Sequence, residues 1–239
     1  MTWSLLVHDP DTQTLAVAVT TCNLAVGASC PFTRAGVGAV STQSLTNRYL
    51  GPAVLDGMGR GLSPAAAIEG ALAGDEGRHL RQVHAVDTRG RAAAWTGRHC
   101  VTWAGARTAT HWSVAGNMLA GEAVITDTAA AWLSREDLPL PERMVAALQA
   151  GEAAGGDRRG RQSAALVLTT VEDFPDLDLR VDDHRAPLDE LERLVRMWRT
   201  HRAPGLADQP RRANPSGLTD LDAIDARWAE RGLDIRLTR

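Results

Sequence analysis

The chain contains no lysine, and all 26 of its basic residues are arginine. It therefore lacks both a Schiff-base amine and the phosphate-binding lysine of a Walker-type loop. Its three cysteines, Cys22, Cys30 and Cys100, are too few and too widely spaced for a structural zinc site or a disulfide framework. These scarcities exclude lysine-dependent catalysis and cysteine-based scaffolds.

Long hydrophobic runs and a basic leader are also missing. No apolar run approaches the length of a membrane span, and the first residues lack the basic region of a signal peptide. A net charge of −3 gives no generally basic surface for nucleic acid. We therefore expect a soluble, cytoplasmic protein with neither nucleic acid nor membrane as a partner.

Patterns that hold metals or cofactors are absent as well. The seven histidines are scattered, and none occurs in an HExxH or paired metal-binding spacing. No GxGxxG sequence follows a β-rich run, which argues against a dinucleotide site. We expect no metal and no cofactor.

Short β-rich runs occur in pairs that are separated by turn residues, as in antiparallel hairpins. Helical periodicity appears between these pairs, and Ser63 is a good N-cap for one helix. The predicted hairpins are 2–7 with 14–21, 81–87 with 92–96, and 164–170 with 177–181; single strands are 37–42 and 111–115. The predicted helices are 65–73, one starting near 121, 139–148 with Gly151 as its stop signal, and 187–199. Hairpins with helices grouped between them predict an α+β layered domain.

The chain from Ala203 onwards is rich in proline, arginine and aspartate. We therefore predict one domain over 1–202 and a linker with a short C-terminal extension over 203–239. Within that extension, Thr219 is expected to cap a small helix over 219–231. The polar stretch 43–48 is predicted to be a loop.

Thr2 is the most informative single position. Removal of Met1 would leave its hydroxyl beside a free α-amine whose pKa is about 7.7–8.0 in the absence of neighbours. Such an amine can take the hydroxyl proton, which makes an N-terminal threonine a nucleophile with its own general base. Because a strand is predicted to begin at once, Thr2 would be held rigidly; many chains nevertheless begin Met-Thr for no chemical reason.

A glycine turn that carries charges precedes the predicted strand at 164. Gly155 and Gly156 permit positive φ and close backbone approach, and Asp157 and Arg158 open a charged segment that runs to Gln162. One interpretation is a binding site on a rigid scaffold. The other is a solvated connection whose charges pair internally.

Taken together, several stretches of the chain resemble the DUF1028 family, which has unknown function and is placed in the N-terminal-nucleophile (Ntn) hydrolase superfamily. The resemblance runs from Thr2 to about the Pro187 helix, over three-quarters of the chain. The stretches that carry it are TWS at 2–4, DP at 9–10, LAVAV at 15–19, AVG at 25–27, GVGAVSTQ at 36–43, RQV at 81–83, TG at 96–97, GNML at 116–119, GGDRRGRQSAA at 155–165 and RVDDH at 180–184.

The resemblance implies a four-layer αββα sandwich, in which two antiparallel sheets carry helices on both outer faces. It also implies amide-bond hydrolysis by Thr2. Asn117 and the backbone N–H of Gly116 or Met118 are candidate oxyanion donors, although Asn117 could equally satisfy its own turn.

Further candidates surround this nucleophile. Asp157 and Arg158 would orient the α-amine or bind a substrate carboxylate, unless they form an internal ion pair. Ser41 and Gln43 are expected to line the cleft, and Ser163 either bonds near Thr2 or caps its own turn. The candidate catalytic residues are Thr2, Asn117 and Asp157, and the candidate substrate-binding residues are Ser41, Gln43, Gly116, Arg158, Gln162 and Ser163.

These residues are compatible with three functions. The first is an Ntn-type amidohydrolase that cleaves a small or peptidic amide. The second is a non-catalytic protein that binds a small anion through the turn 157–162. The third is an assembly component, and a homodimer or higher homo-oligomer is left open by the sequence.

Overall fold

A computed structural model describes residues 2–230 and residue 232. The contacts divide the chain into two compact units that meet between Glu192 and Arg193. This point lies ten residues before the predicted boundary at 202/203, which stays a prediction.

The first unit contains ten strands in two antiparallel sheets. The strands are β1 (Thr2–Asp9), β2 (Thr14–Thr21), β3 (Pro31–Arg34), β4 (Gly38–Ser44), β5 (Arg81–Asp87), β6 (Ala92–Thr96), β7 (Gly105–Ala109), β8 (Trp112–Asn117), β9 (Ser163–Thr169) and β10 (Leu177–Val181). Six strands form one sheet in the order β10-β9-β2-β1-β8-β7, and four form the other in the order β3-β4-β5-β6. Strand β1 is therefore central in the larger sheet, with β2 on one side and β8 on the other.

Four helices belong wholly to this unit, and a fifth begins in it. They are α1 (Leu50–Gly59), α2 (Pro64–Ala73), α3 (Ala123–Ser134), α4 (Leu140–Ala153) and α5 (Pro187–Met197). Helices α1 and α2 contact each other and the four-stranded sheet, whereas α3 and α4 contact each other and the six-stranded sheet.

Both faces of the central strands are buried, because successive side chains of a strand point to opposite faces. In the four-stranded sheet, Val40 and Val83 pack with residues of α1 and α2. Their neighbours Ala39 and Val86 instead pack with Leu6 and other residues of the six-stranded sheet. The two sheets therefore contact each other through these inner faces, and the helices contact the outer face of the smaller sheet.

The three predicted hairpins are confirmed, with end shifts of no more than two residues. Ser63 caps α2 as predicted, because its Oγ accepts the N–H of Ala66 at 3.2 Å. The structure adds α1, β3 and β7, which the sequence pattern did not indicate. Helix α1 was hidden by Gly51 and Pro52, which lie in its first turn, where proline costs no hydrogen bond.

Two boundary predictions were wrong. Gln43 and Ser44 belong to β4 and not to a loop. Gly151 does not end a helix, because α4 continues through it to Ala153. A Cβ on Gly151 would lie 3.0 Å from Trp3 Nε1 and 2.9 Å from the Val124 carbonyl, so this glycine serves close packing of α4 on β1 and α3.

The second unit, 193–239, contains the end of α5, a π-helical turn (Trp198–Arg202), a 3-10 helix (Ala203–Asp208) and α6 (Leu221–Glu230). Arg227 and Asp208 form an ion pair of 2.7 Å within it. Thr219 is not the cap of α6, because the Asp220 carboxylate accepts the N–H groups of Asp222 and Ala223. The predicted end at Arg231 lies outside the described residues.

Candidate functional site

Thr2 is the first residue of β1 and pairs with Asn117 on β8. The register of Trp3 with Thr20 places Thr2 directly opposite Thr21, and the Thr2 Oγ1 donates to Thr21 Oγ1 at 3.2 Å. Thr2 is 6% exposed. The candidate nucleophile is thus held by two neighbouring strands at one end of the central strand.

Three side-chain amides lie between the sheets at this end, and we call Gln43, Gln82 and Asn117 the amide cluster. All three are at most 1% exposed. Gln82 Oε1 accepts hydrogen bonds from Gln43 Nε2 at 2.8 Å and from Asn117 Nδ2 at 3.0 Å. A buried amide must find partners for its donors and its acceptor, and here the amides supply them to one another.

The amide cluster contacts the main chain of Thr2. Gln43 Nε2 and Asn117 Nδ2 each lie 3.4 Å from the Thr2 carbonyl oxygen, which is long for a hydrogen bond. Gln43 Nε2 also donates to the Ala115 carbonyl at 3.0 Å. The Asn117 amide therefore lies beside the Thr2 carbonyl and faces the protein interior.

A buried histidine continues this polar layer. His84 Nε2 lies 2.7 Å from Ser4 Oγ, and His84 Nδ1 lies 2.8 Å from Ser113 Oγ. Burial lowers the pKa of His84 to about 3, so the imidazole is neutral at pH 7.

The bonding pattern fixes the tautomer of that imidazole. The Ser4 hydroxyl donates to Gln43 Oε1 at 2.9 Å, so its single proton is unavailable to His84. Nε2 of His84 must then carry the proton and donate to Ser4, and Nδ1 accepts from Ser113. The hydrogen bonds therefore run in one direction, from Ser113 through His84 and Ser4 to Gln43.

Ser41 and Gln43 occupy the interior of the protein. The Ser41 hydroxyl donates to Gln43 Oε1 at 3.2 Å, and both residues are completely buried in β4. Gln43 contacts the Thr2 main chain as described above. Ser41 supports Gln43 and belongs to the same polar layer.

The two backbone candidates for an oxyanion donor differ. The N–H of Met118 donates to the Val101 carbonyl at 2.7 Å, so this donor is already in use. Gly116 lies within β8 opposite Trp3, and its carbonyl accepts from Gln82 Nε2 at 2.8 Å.

Asp157 contacts both of the segments that follow the neighbours of β1. Its Oδ2 accepts the N–H of Cys22, directly after β2, at 2.7 Å. Its main chain forms an isolated antiparallel bridge with Leu119, two residues after β8. Since β2 and β8 are the two neighbours of β1, Asp157 links the segments that follow both of these strands at the end of the sheet where Thr2 lies.

The arginines of the glycine-rich turn contact the protein itself. Arg159 forms a 3.3 Å ion pair with Asp157, and its N–H donates to the same carboxylate at 2.8 Å. Arg158 Nη1 donates to the Thr102 carbonyl at 3.0 Å. Arg161 pairs at 3.3 Å with Glu152, whose pKa is raised by burial despite the arginine charge.

Gln162 and Ser163 organise the strand that follows this turn. The N–H of Gln162 donates to the Thr21 carbonyl at 3.0 Å, and its side chain donates to Asp183 at 3.2 Å. The Ser163 hydroxyl donates to the Asn23 carbonyl at 2.5 Å and accepts the Val26 N–H at 3.1 Å. Ser163 therefore fixes the loop after β2 and makes its side-chain bonds there.

Three of the cavities on the first unit have volumes of about 800, 520 and 440 Å³. The largest is lined by Asp75, Arg78, His79, Trp95 and Thr96 among others. The smallest lies at the opposite end of β1, where His8 and His111 meet. Among the described residues, none of the three is lined by Thr2, Asn117 or Asp157.

Within 2–230 and 232, no three or more His, Cys, Asp or Glu side chains are grouped to hold a metal ion. In that same part of the chain, no helix is long and apolar enough to cross a membrane.

Sequence reasoning missed Ser4, Gln82, His84 and Ser113. Each alternates with apolar residues in its strand, a pattern that indicates a strand with one solvated face. The available signal was Gln82 and His84 together in one strand, because polar side chains two residues apart share a face. Only the pairing of the two sheets places that face in the interior.

A family model described as "Family of unknown function (DUF1028)" matches residues 2–191. The chain belongs to the DUF1028 family. It is 31% identical to protein SPO2555 of Silicibacter pomeroyi, a DUF1028 protein of known crystal structure, with a TM-score of 0.85. That match covers 92% of this chain and 96% of the other.

A weaker structural likeness exists to Anbu, described as an ancestral β-subunit, from Yersinia bercovieri. The identity is 12% and the TM-score is 0.37, over 83% of this chain and 97% of that one. No curated protein sequence matches this DUF1028 protein.

Proposed function

We propose that this DUF1028 protein is an Ntn-type amidohydrolase of the cytoplasm that uses Thr2 as nucleophile and cleaves a small or peptidic amide. Its two sheets and four flanking helices would then form the αββα sandwich of that superfamily. The observation that carries the proposal is the place of Thr2, which opens the central strand, pairs with Asn117 and donates a hydrogen bond to Thr21. A nucleophile on a central strand is held more rigidly than one on a loop.

The reaction requires that Met1 be removed. The free α-amine of Thr2 then takes the proton of the Thr2 hydroxyl while Oγ1 attacks the substrate carbonyl carbon and a C–O bond forms. The resulting ammonium returns its proton to the leaving nitrogen as the C–N bond breaks. Water hydrolyses the ester on Thr2 with the same amine as base, which releases a carboxylic acid and restores the hydroxyl.

Neighbouring residues have separate roles in this scheme. Asp157 fixes the ends of the segments beside the amine through Cys22 and Leu119. Asn117 is the proposed donor to the oxyanion. Its 3.4 Å contact with the Thr2 carbonyl is weak, and the amide has to turn from the interior towards Oγ1 to exchange that contact for a stronger, charged acceptor.

The anion-binding alternative is less well supported. It needs guanidinium groups of the turn 157–162 to face a ligand. Arg159 and Arg161 instead pair with Asp157 and Glu152, and Arg158 donates to a backbone carbonyl. Each of these contacts would have to be given up on binding.

Acylation of Thr2 by a peptide β-lactone, followed by intact mass spectrometry, tests the proposal. We expect the wild type and Thr2→Ser to gain one acyl group and Thr2→Ala to gain none. The control is Thr12→Ala, which alters an exposed threonine of the β1–β2 turn and should leave acylation unchanged. Acylation of Thr2→Ala at the wild-type rate would refute Thr2 as the nucleophile.

A further inference from the structure

The side-chain amide of Gln82 is completely buried and is bonded on both of its sides. Its oxygen accepts from Gln43 and Asn117, the two other members of the amide cluster. The orientation of this amide is therefore fixed, because a flipped amide would point its N–H groups at two other donors.

The nitrogen of the same amide faces only acceptors. Nε2 of Gln82 lies 2.8 Å from the Gly116 carbonyl, 3.1 Å from the Gly105 carbonyl and 2.9 Å from Thr96 Oγ1. Gly116 lies next to Asn117 in β8, so Gln82 binds this end of the strand at two consecutive residues.

We propose that Gln82 is a positioning residue for the Thr2 nucleophile, an inference that rests on the proposed function. Gln43 and Asn117 are the two side chains that reach the Thr2 carbonyl, and each is 3.4 Å from it. Contacts of that length do not orient an amide. The 3.0 Å bond to Gln82 orients Asn117, and the 2.8 Å bond to Gln82 orients Gln43 together with its 3.0 Å bond to the Ala115 carbonyl.

The carbonyl matters because Thr2 opens its strand. The torsion ψ of Thr2 sets the orientation of its Cα substituents relative to the plane of its own carbonyl, so contacts to the carbonyl oxygen act on ψ. A fixed ψ sets the directions of both the α-amine and the side chain relative to the sheet. Gln82 therefore acts on the hydroxyl and its base together, from the opposite sheet.

The first test compares the rate of β-lactone acylation of Thr2 in three processed proteins at one temperature below every melting point. Gln82→Leu removes the acceptor that Gln43 and Asn117 share. The matched control Thr96→Val removes a partner of Gln82 Nε2 on the other side. We expect Gln82→Leu to be acylated about tenfold to a hundredfold more slowly, as for misplaced catalytic groups, and Thr96→Val to react at the wild-type rate.

Gln82→Glu is a second variant that tests the same proposal, and it can be used if Gln82→Leu does not fold. One oxygen still accepts from Gln43 and Asn117, and the other faces the Gly116 carbonyl, where only a protonated carboxyl can donate. Burial among carbonyls raises the pKa of the introduced carboxyl. The acylation rate relative to wild type should therefore fall as pH rises, a profile that a purely structural role would not produce.

The results separate this inference from the proposed function. If the wild type is acylated and both Gln82 variants follow its rate at every pH, Gln82 does not position Thr2 and Thr2 remains the nucleophile. If the processed wild type is not acylated at all, both proposals are wrong.

Discussion

Trp3 Nε1 lies 3.0 Å from the position that a Cβ on Gly151 would occupy, so α4 approaches β1 as closely as a glycine allows. The same Cβ would overlap Thr128 Oγ1, which is held in place by its bond to the Val124 carbonyl. Helix α4 therefore packs directly against Trp3, the residue that follows Thr2.

Gly151→Ala should destabilise the protein despite the better helix propensity of alanine. The propensity gain is about 1 kcal/mol, whereas overpacking a tight interface costs about 1–3 kcal/mol. We therefore expect a net loss in the free energy of unfolding, measured by urea denaturation.

Gly70→Ala is the matched control for that substitution. Gly70 lies in α2, and a Cβ there would meet no described atom within 4 Å. We expect a gain of about 0.5–1 kcal/mol in the free energy of unfolding. A gain of the same size for Gly151→Ala would contradict the packing described above.

The neutral, buried His84 predicts acid sensitivity. Its pKa is lowered by burial from 6.5 to about 3, so the unfolded chain binds this proton at a pH where the folded protein does not. The contribution of this group to the free energy of unfolding is fully present above pH 6.5. It decreases as the pH falls from 6.5 to 3, by about 1.4 kcal/mol per pH unit.

Urea unfolding at several pH values within that window, on the wild type and on His84→Gln, measures the effect. The variant lacks this titrating group. The slope of its unfolding free energy against pH should therefore be smaller by the contribution of one bound proton. Because burial and the charge of His111 also lower the pKa of His8, part of the slope should persist in the variant. Identical slopes would show that His84 is not buried in its neutral form.

Asp157→Ala tests the link between the segments that follow β2 and β8. The substitution leaves the Cys22 N–H and the Arg159 guanidinium without their carboxylate, and we expect a loss of about 1–3 kcal/mol in unfolding free energy. Hydrogen exchange of the Cys22 amide should become faster.

Asp178→Ala serves as the comparison, because its ion pair with Arg180 is largely exposed and such pairs contribute about 0–1 kcal/mol. It should leave exchange at Cys22 unchanged. Equal effects of the two variants would mean that Asp157 is not a specific structural link.

The sequence predicted the hairpins because their turns contain residues such as Asp9, Pro10 and Gly90 between β-rich runs. It did not predict the short edge strands β3 and β7: β3 has four residues and begins with a proline, and β7 consists of small and polar residues. Helix α1 was missed because Gly51 and Pro52 resemble a loop until the cap position is known.

The candidate site was also predicted only in part from the sequence. Thr2 could be singled out from its position and chemistry alone. The contacts within the amide cluster could not be predicted in this way. Gln43 and Gln82 belong to different strands, and they meet only because the register of β4 with β5 pairs them. His84 and Ser4 are 80 residues apart, and nothing local to either one indicates the other.

The most direct test of the central claim is the intact mass of the protein isolated from a bacterial host. The account predicts a mass lower by one methionine residue, because only a free α-amine on Thr2 can serve as the base for its hydroxyl. A mass that retains Met1 in full would leave Thr2 without that base and would contradict the proposed function.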